Sequence, residues 1–129
     1  MPQKKEKKSS VNPKDRVANR KVDMLQVPPI AMAHEAMAFS NGEAKYGPRN
    51  WRGAEVSANV YLSACLRHLY SWAEGEEVAE DSGVHHLGHA RACLAILLDA
   101  QATGNLHDDR FIGEYTNVLN TLNNNLANS

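Results

Sequence analysis

The sequence predicts an all-α fold, a compact four-helix domain preceded by an extended basic arm, and three observations predict it. Apolar residues recur three and four apart in four separate stretches. Glycine, proline, asparagine or acidic residues bound those stretches, and no strand-period alternation survives anywhere. At 129 residues the chain can bury one core but not two, so residues 11–129 read as a single domain. No internal repeat is visible.

Residues 1–10 are basic and polar after Met1, too poor in apolar side chains to offset the entropy of ordering, and read as a disordered tail. Val11 to Val27, with Asn12-Pro13 and a sparse apolar pattern, reads as an extended arm with local turns. Pro28-Pro29 suits a helix entrance, because the first turn leaves its amide donors unpaired in any case. Ile30, Ala33 and Met37 give the first helix, with Gly42 its expected stop. Lys45 to Gly53 mixes turn formers with aromatic and basic residues and reads as a loop. Val60, Tyr61, Ala64, Cys65, His68, Leu69 and Trp72 make one face of a second helix, ended by Gly75. Asp81 or Ser82 can cap a third, from about Val84 to Gln101, with Leu87, Ala90, Leu94, Leu97 and Leu98 inward. Phe111, Tyr115, Val118, Leu122 and Leu126 define a fourth, whose asparagines leave packing rather than propensity to hold it.

The formal net charge is −1, too small for a general nucleic-acid binder, although basic residues crowd the first twenty-one positions and acidic ones the stretch from Glu74 to Asp81. No run of about 18 apolar residues exists, and nothing calls for a membrane, so a cytoplasmic protein is expected. Cys65 and Cys93 sit within apolar helical patterns and are expected to be free thiols. There is no phosphate-cradling GxxxxGK[ST] loop, and the two separated cysteines lack zinc-finger spacing.

Chemistry concentrates between Arg67 and Asp99. The second helix ends at Glu76 and Glu77, and the third begins with His85, His86 and His89. A short turn forces the two helices antiparallel, so carboxylates and imidazoles converge. Such a mixed set accommodates Mg2+ or Mn2+ and tolerates Co2+ or Zn2+. Leu87 and Ala90 occupy the core stripe, so His86 and His89 are expected to face the acidic turn and His85 to be more exposed. A histidine or an acidic run alone is more often structural; their forced proximity favours a metal site. Lys14, Lys21, Lys45, Arg52 and Arg67 can supply cations to an anionic ligand, and Trp51 or Tyr46 could stack on a planar one, or Trp51 could instead anchor its loop.

Asn12-Pro13-Lys14-Asp15, Lys21, Lys45-Tyr46-Gly47, Asn50-Trp51-Arg52, Arg67-His68, Trp72, Gly75-Glu76, Ser82-Gly83, His86-Leu87 and His89-Ala90 occur in an order and spacing that resembles a phage family. The likeness, over roughly residues 11 to 100, is to the MazZ dATP/dGTP pyrophosphohydrolases, a branch of the all-helical MazG-like superfamily. The resemblance implies hydrolysis of dGTP and dATP to monophosphate and pyrophosphate, with dGMP feeding 2-aminoadenine nucleotide synthesis, and a homo-oligomer, tetramer or dimer. It implies metal held through acidic pairs. His86-Leu87-Gly88-His89 stands where a Glu-Leu-Gly-Asp is expected, so the candidate ligands are Glu35, Glu76, Glu77, Asp81, His86 and His89. The candidate catalytic groups are Glu76, Glu77 and His68. The candidate substrate contacts are Lys14, Asp15, Lys21, Lys45, Tyr46, Asn50, Trp51, Arg52 and Arg67. The alternative of another class is a non-catalytic helical interaction domain with a basic nucleic-acid-binding arm; stable nucleic-acid binding is not expected on the favoured reading.

Overall fold

The computed structural model describes residues 11–18 and 20–129; the tail expected at residues 1–10 lies outside them. Its elements are α1 (Pro13–Ala18), a 3-10 turn (Met24–Gln26), α2 (Pro29–Tyr46), α3 (Asn50–Gly53), β1 (Val56–Ser57), α4 (Ala58–Ala73), α5 (His86–Ala102), β2 (Leu106–His107) and α6 (Tyr115–Ala127). The all-α expectation stands. The expectation of no sheet is amended by one short parallel pairing, in which Val56 aligns with Leu106 and Ser57 with His107. It arises where the chain enters α4 and leaves α5 side by side.

Helix α5 is central and packs on α2 along one side and α4 along the other. What it buries is small. Ala90, Ala92 and Ala100 are buried on α5, Ala38 on α2, and Ala58 and Cys65 on α4. Small side chains let helices approach closely, and a Cβ added at Gly88 would lie 2.5 Å from the backbone oxygen of His34. The leucine stripe expected to face inward is corrected accordingly: Leu94 and Leu98 are exposed, because α5 is rotated to turn its alanines toward both neighbours. Trp72 and Val60 are likewise exposed rather than inward.

Three element boundaries differ from expectation. Helix α2 passes through Gly42 and ends at Gly47, whose φ of 89° only glycine adopts freely, so Lys45 and Tyr46 are helical and the expected loop is shorter. The arm before Val27 contains one short helix and one 3-10 turn, the latter capped by the Asp23 side chain accepting from the Leu25 amide. Helix α5 is capped by neither Asp81 nor Ser82 but by His85, whose Nδ1 accepts from the Leu87 amide at 3.0 Å. The proline entrance is as expected, with Pro28 at the N-cap and Pro29 in the first turn of α2.

Helix α6 is amphipathic as expected, but it does not close a four-helix core. Every residue from Phe111 to Ser129 is exposed, including Tyr115, Val118, Leu119, Leu122 and Leu126. Both cysteines are free, and no helix among the described residues is long and apolar enough to cross a membrane.

Candidate functional site

The turn between α4 and α5 is closed by main-chain bonds, the Ala79 amide donating to Val84 O at 2.9 Å and the His86 amide to Glu77 O at 3.0 Å. Gly75 and Gly83 take positive φ where the chain reverses. This closure brings the end of α4 beside the start of α5, as the short connection requires. Three imidazoles meet there. His68 and His89 stack with centroids 4.5 Å apart, and His68 Nδ1 lies 2.9 Å from His86 Nδ1.

Hydrogen-bond polarity orders this cluster. An ionised glutamate only accepts, so the 2.5 Å contact between Glu76 Oε1 and His86 Nε2 puts the proton on that nitrogen. A singly protonated His86 then accepts at Nδ1 from His68 Nδ1–H, which leaves His68 Nε2 as an acceptor. Burial, followed by His89, His86 and Arg67, pushes the His68 pKa down to about 4 against the opposing effect of Asp81, so the ring is neutral near pH 7. Burial lowers His89 as well, with Asp81 opposing. His89 Nε2 lies 2.8 Å from the Ser82 hydroxyl.

Below the cluster runs a cavity of about 440 Å³ whose walls include Lys45, Tyr46, Asn50, His68, Asp81 and His89. Lys45 Nζ lies 4.0 Å from Asp81 Oδ2, both side chains largely open to solvent. A second cavity of about 610 Å³ adjoins it, sharing Tyr46, Asn50 and Tyr61 as walls and adding Phe39, Trp51 and the Gly47-Pro48-Arg49 turn. One site thus has an imidazole-and-lysine end and an aromatic end.

The expected metal ligands are brought near one another but not into one shell. Glu76 is taken by His86; Glu77 accepts from Trp72 Nε1 at 3.2 Å and lies 3.2 Å from His85 Nε2; Glu35 is on the far side of α5, 3.3 Å from Arg91 Nε. That Arg91 nitrogen is buried and not aligned for a hydrogen bond with the carboxylate. Among the described residues no three histidine, cysteine, aspartate or glutamate side chains are disposed to share an ion. As placed, these donors do not fit a resident metal: Glu35, Glu76, Glu77, His86 and His89 each face a protein partner, and Asp81 is largely exposed with only Lys45 near it. The preference for His86 over His85 as the ring facing Glu76 holds, yet His85 is engaged as cap and partner of Glu77.

Several expected substrate contacts are structural. Arg52 forks onto Asp99, with Nη2 2.7 Å from Oδ1 and Nε on Oδ2, while Trp51 Nε1 donates to Oδ2 at 2.7 Å. These two donors hold the Asp99 carboxyl down to about 2. Trp51 is therefore an anchor, its ring tilted on Phe39 at 5.2 Å. Arg67 Nη1 donates to Ser63 Oγ at 3.0 Å, within its own helix, and pairs with neither Glu76 nor Glu77. Lys14 and Asp15 lie on α1 and Lys21 on the exposed arm; none of the three lines either cavity. The sequence reading missed Asp99, whose one signal was a lone acid between Leu98 and Ala100, and it missed Glu43 and Arg49 in the second cavity.

A family model described as dATP/dGTP diphosphohydrolase, N-terminal, matches residues 11–110. The chain belongs to that family. A relative from Salmonella phage PMBT28, named dATP/dGTP diphosphohydrolase, is 27% identical over 90 residues, covering 70% of this chain and 30% of the relative. The chain thus spans under a third of the length of the curated relative it matches. No solved structure matches it. The matched family segment contains every residue of the histidine cluster and both cavities, and stops before α6.

Proposed function

We propose that this chain hydrolyses dGTP and dATP to the monophosphate and pyrophosphate. The observation that carries the proposal is the Glu76–His86–His68 chain at the wall of the cavity that also holds Lys45. Family membership and the relative's name supply the substrate class. In the reaction a water oxygen bonds to the α-phosphorus, and the bond from that phosphorus to the bridging oxygen breaks. Pyrophosphate leaves with the electron pair. His68 Nε2 takes the proton from the water, and the charge that appears on the imidazole is balanced through His86 by Glu76. Lys45 offsets phosphate charge, with Asp81 restraining its ammonium.

Divalent-cation dependence, with Mg2+ or Mn2+, is part of the proposal on chemical grounds, because a triphosphate repels an attacking water until its charge is offset. The cation arrives as the nucleotide's own complex. In a phage infection the products fit the supply of dGMP for 2-aminoadenine nucleotides and the depletion of dATP, in the cytoplasm of the host. Assembly is also part of the reading: the uncovered stripe Tyr115, Val118, Leu122 and Leu126 is suited to a second copy of this chain, giving a dimer or tetramer. Sedimentation giving a monomer at micromolar concentration would overturn that element.

The test is chromatography of the products formed from dGTP with Mg2+. We expect dGMP and pyrophosphate, none with excess chelator, and a kcat at least about a hundredfold lower for His68→Gln. Release of orthophosphate or tripolyphosphate instead would refute the proposal.

A further inference from the structure

The second cavity has a composition that a phosphate end does not need. Its walls include four aromatic side chains, Phe39, Tyr46, Trp51 and Tyr61, with one carboxylate and one guanidinium, Glu43 and Arg49. Trp51 is fixed by Asp99, whereas Tyr46, also on the cavity wall, is 69% exposed. None of the ion pairs within 4.0 Å among the described residues uses Glu43 or Arg49, although Arg49 acts at longer range on Asp99. Arg49 is also the one non-glycine among the described residues with a positive φ, at φ 48° and ψ 41°. That conformation costs on the order of 1 kcal/mol for a side chain of its kind, and such strain gathers where a side chain must be aimed. The volume, about 610 Å³, lies in the range of small-molecule sites, and the cavity is contiguous with the lysine-and-histidine end.

We propose that this cavity seats the purine base and that Glu43 and Arg49 read it, with guanine preferred over adenine. The inference rests on the nucleotide reading above and deepens it. Guanine presents two adjacent donors, N1–H and the N2 amino group, which match the two oxygens of a carboxylate. Its other edge presents O6 and N7, two acceptors that match the fork of a guanidinium. Both contacts can form at once because they use different atoms on adjacent edges of the ring, which meet at O6, while Tyr46 stacks on its face. Adenine offers a carboxylate one amino group and no second donor, so it enters the same pocket but binds less well. A pyrimidine lacks the second ring and so offers Arg49 no N7 beside a carbonyl oxygen.

The experiment measures binding without turnover, using the product nucleotides. Calorimetry with dGMP, dIMP and dAMP on the full chain is paired with steady-state hydrolysis of dGTP and dATP. We expect dGMP to bind at least about tenfold more tightly than dIMP, which lacks only the N2 amino group, and than dAMP. Glu43→Gln should reduce the dGMP to dAMP affinity ratio by about tenfold or more, and Arg49→Lys should lower dGMP affinity while keeping its charge. Both variants sit on the surface, and unchanged circular dichroism verifies that they fold. Equal affinity of the wild type for dGMP and dIMP, or an unchanged ratio in Glu43→Gln, overturns the base assignment even if dGTP is still hydrolysed. Absence of both hydrolysis and nucleotide binding overturns the nucleotide reading itself, and the base assignment with it.

Discussion

Replacing Gly88 by alanine tests the packing that holds the histidine cluster in place. Gly88 lies between His86 and His89, and its face of α5 meets the backbone of α2 at His34. A Cβ there would sit 2.5 Å from the His34 oxygen, 2.9 Å from its carbonyl carbon and 3.2 Å from its Cβ. Ordinary contact begins near 3.4 Å, and the obstructing atoms are backbone that cannot rotate away, so α5 and α2 must separate by most of an ångström. Overpacking of this kind costs about 1–3 kcal/mol, and alanine returns up to about 1 kcal/mol of helix propensity. The net expectation is a loss of about 1–2 kcal/mol, a fall in Tm of several degrees for a domain of this size. Gly42→Ala is the internal comparison. It lies within α2 with nothing inside 4 Å of the added carbon, and should gain about 0.5–1 kcal/mol. The assay is urea denaturation of both variants beside the wild type. A Gly88→Ala protein as stable as Gly42→Ala would show that α2 and α5 do not approach as described.

Two further predictions concern titration and reactivity. The folded-state pKa of Asp99 is depressed by Arg52 and Trp51, so its contribution to stability is complete above about pH 4 and is lost as pH falls toward 2. Asp99→Asn should therefore lower the urea midpoint at neutral pH, the gap from wild type closing between pH 4 and 2; a gap independent of pH would refute the latch. Burial pushes the Cys93 thiol up to about 11, with Cys65 next to it adding to the effect. Cys93 should react with a disulfide reagent at pH 8 far more slowly than an unfolded peptide thiol, and urea should abolish that protection. Equal rates with and without urea would contradict its placement between α5 and α4.

What was legible in the sequence is what repeats or what a short connection enforces. The periodic stretches gave α2, α4, α5 and α6 their existence, and the tight acidic turn put Glu76 against His86. The rotation of α5 was not legible, because leucine and alanine are both apolar and a stripe of either satisfies the period. Only the close approach at Gly88 decides that the alanines face inward. Contacts distant along the chain were also hidden: nothing near Trp51 or Arg52 says that Asp99, forty-seven and more residues later, takes both donors. Arg52 was consequently read as a substrate contact and Trp51 as either a stacking group or an anchor, while Glu43 and Arg49 carried no motif to mark them.

The Asp99 latch gives α5 the role of a ruler. His86, at the start of that helix, fixes the imidazole end of the site, and Asp99, thirteen positions on, fixes the turn that walls the aromatic end. At 1.5 Å per residue the two are about 20 Å apart along the axis. Their angular offset, about 140° around the helix, is fixed as well: a single inserted residue between them would swing the carboxylate about 100° and carry Trp51 and Arg52 away from the cavity they enclose. Spacing within this stretch is thus constrained as a number and not only as a composition. Deletions there should be tolerated less than substitutions at Leu94 or Leu98, whose side chains lie on the outside of the same rod.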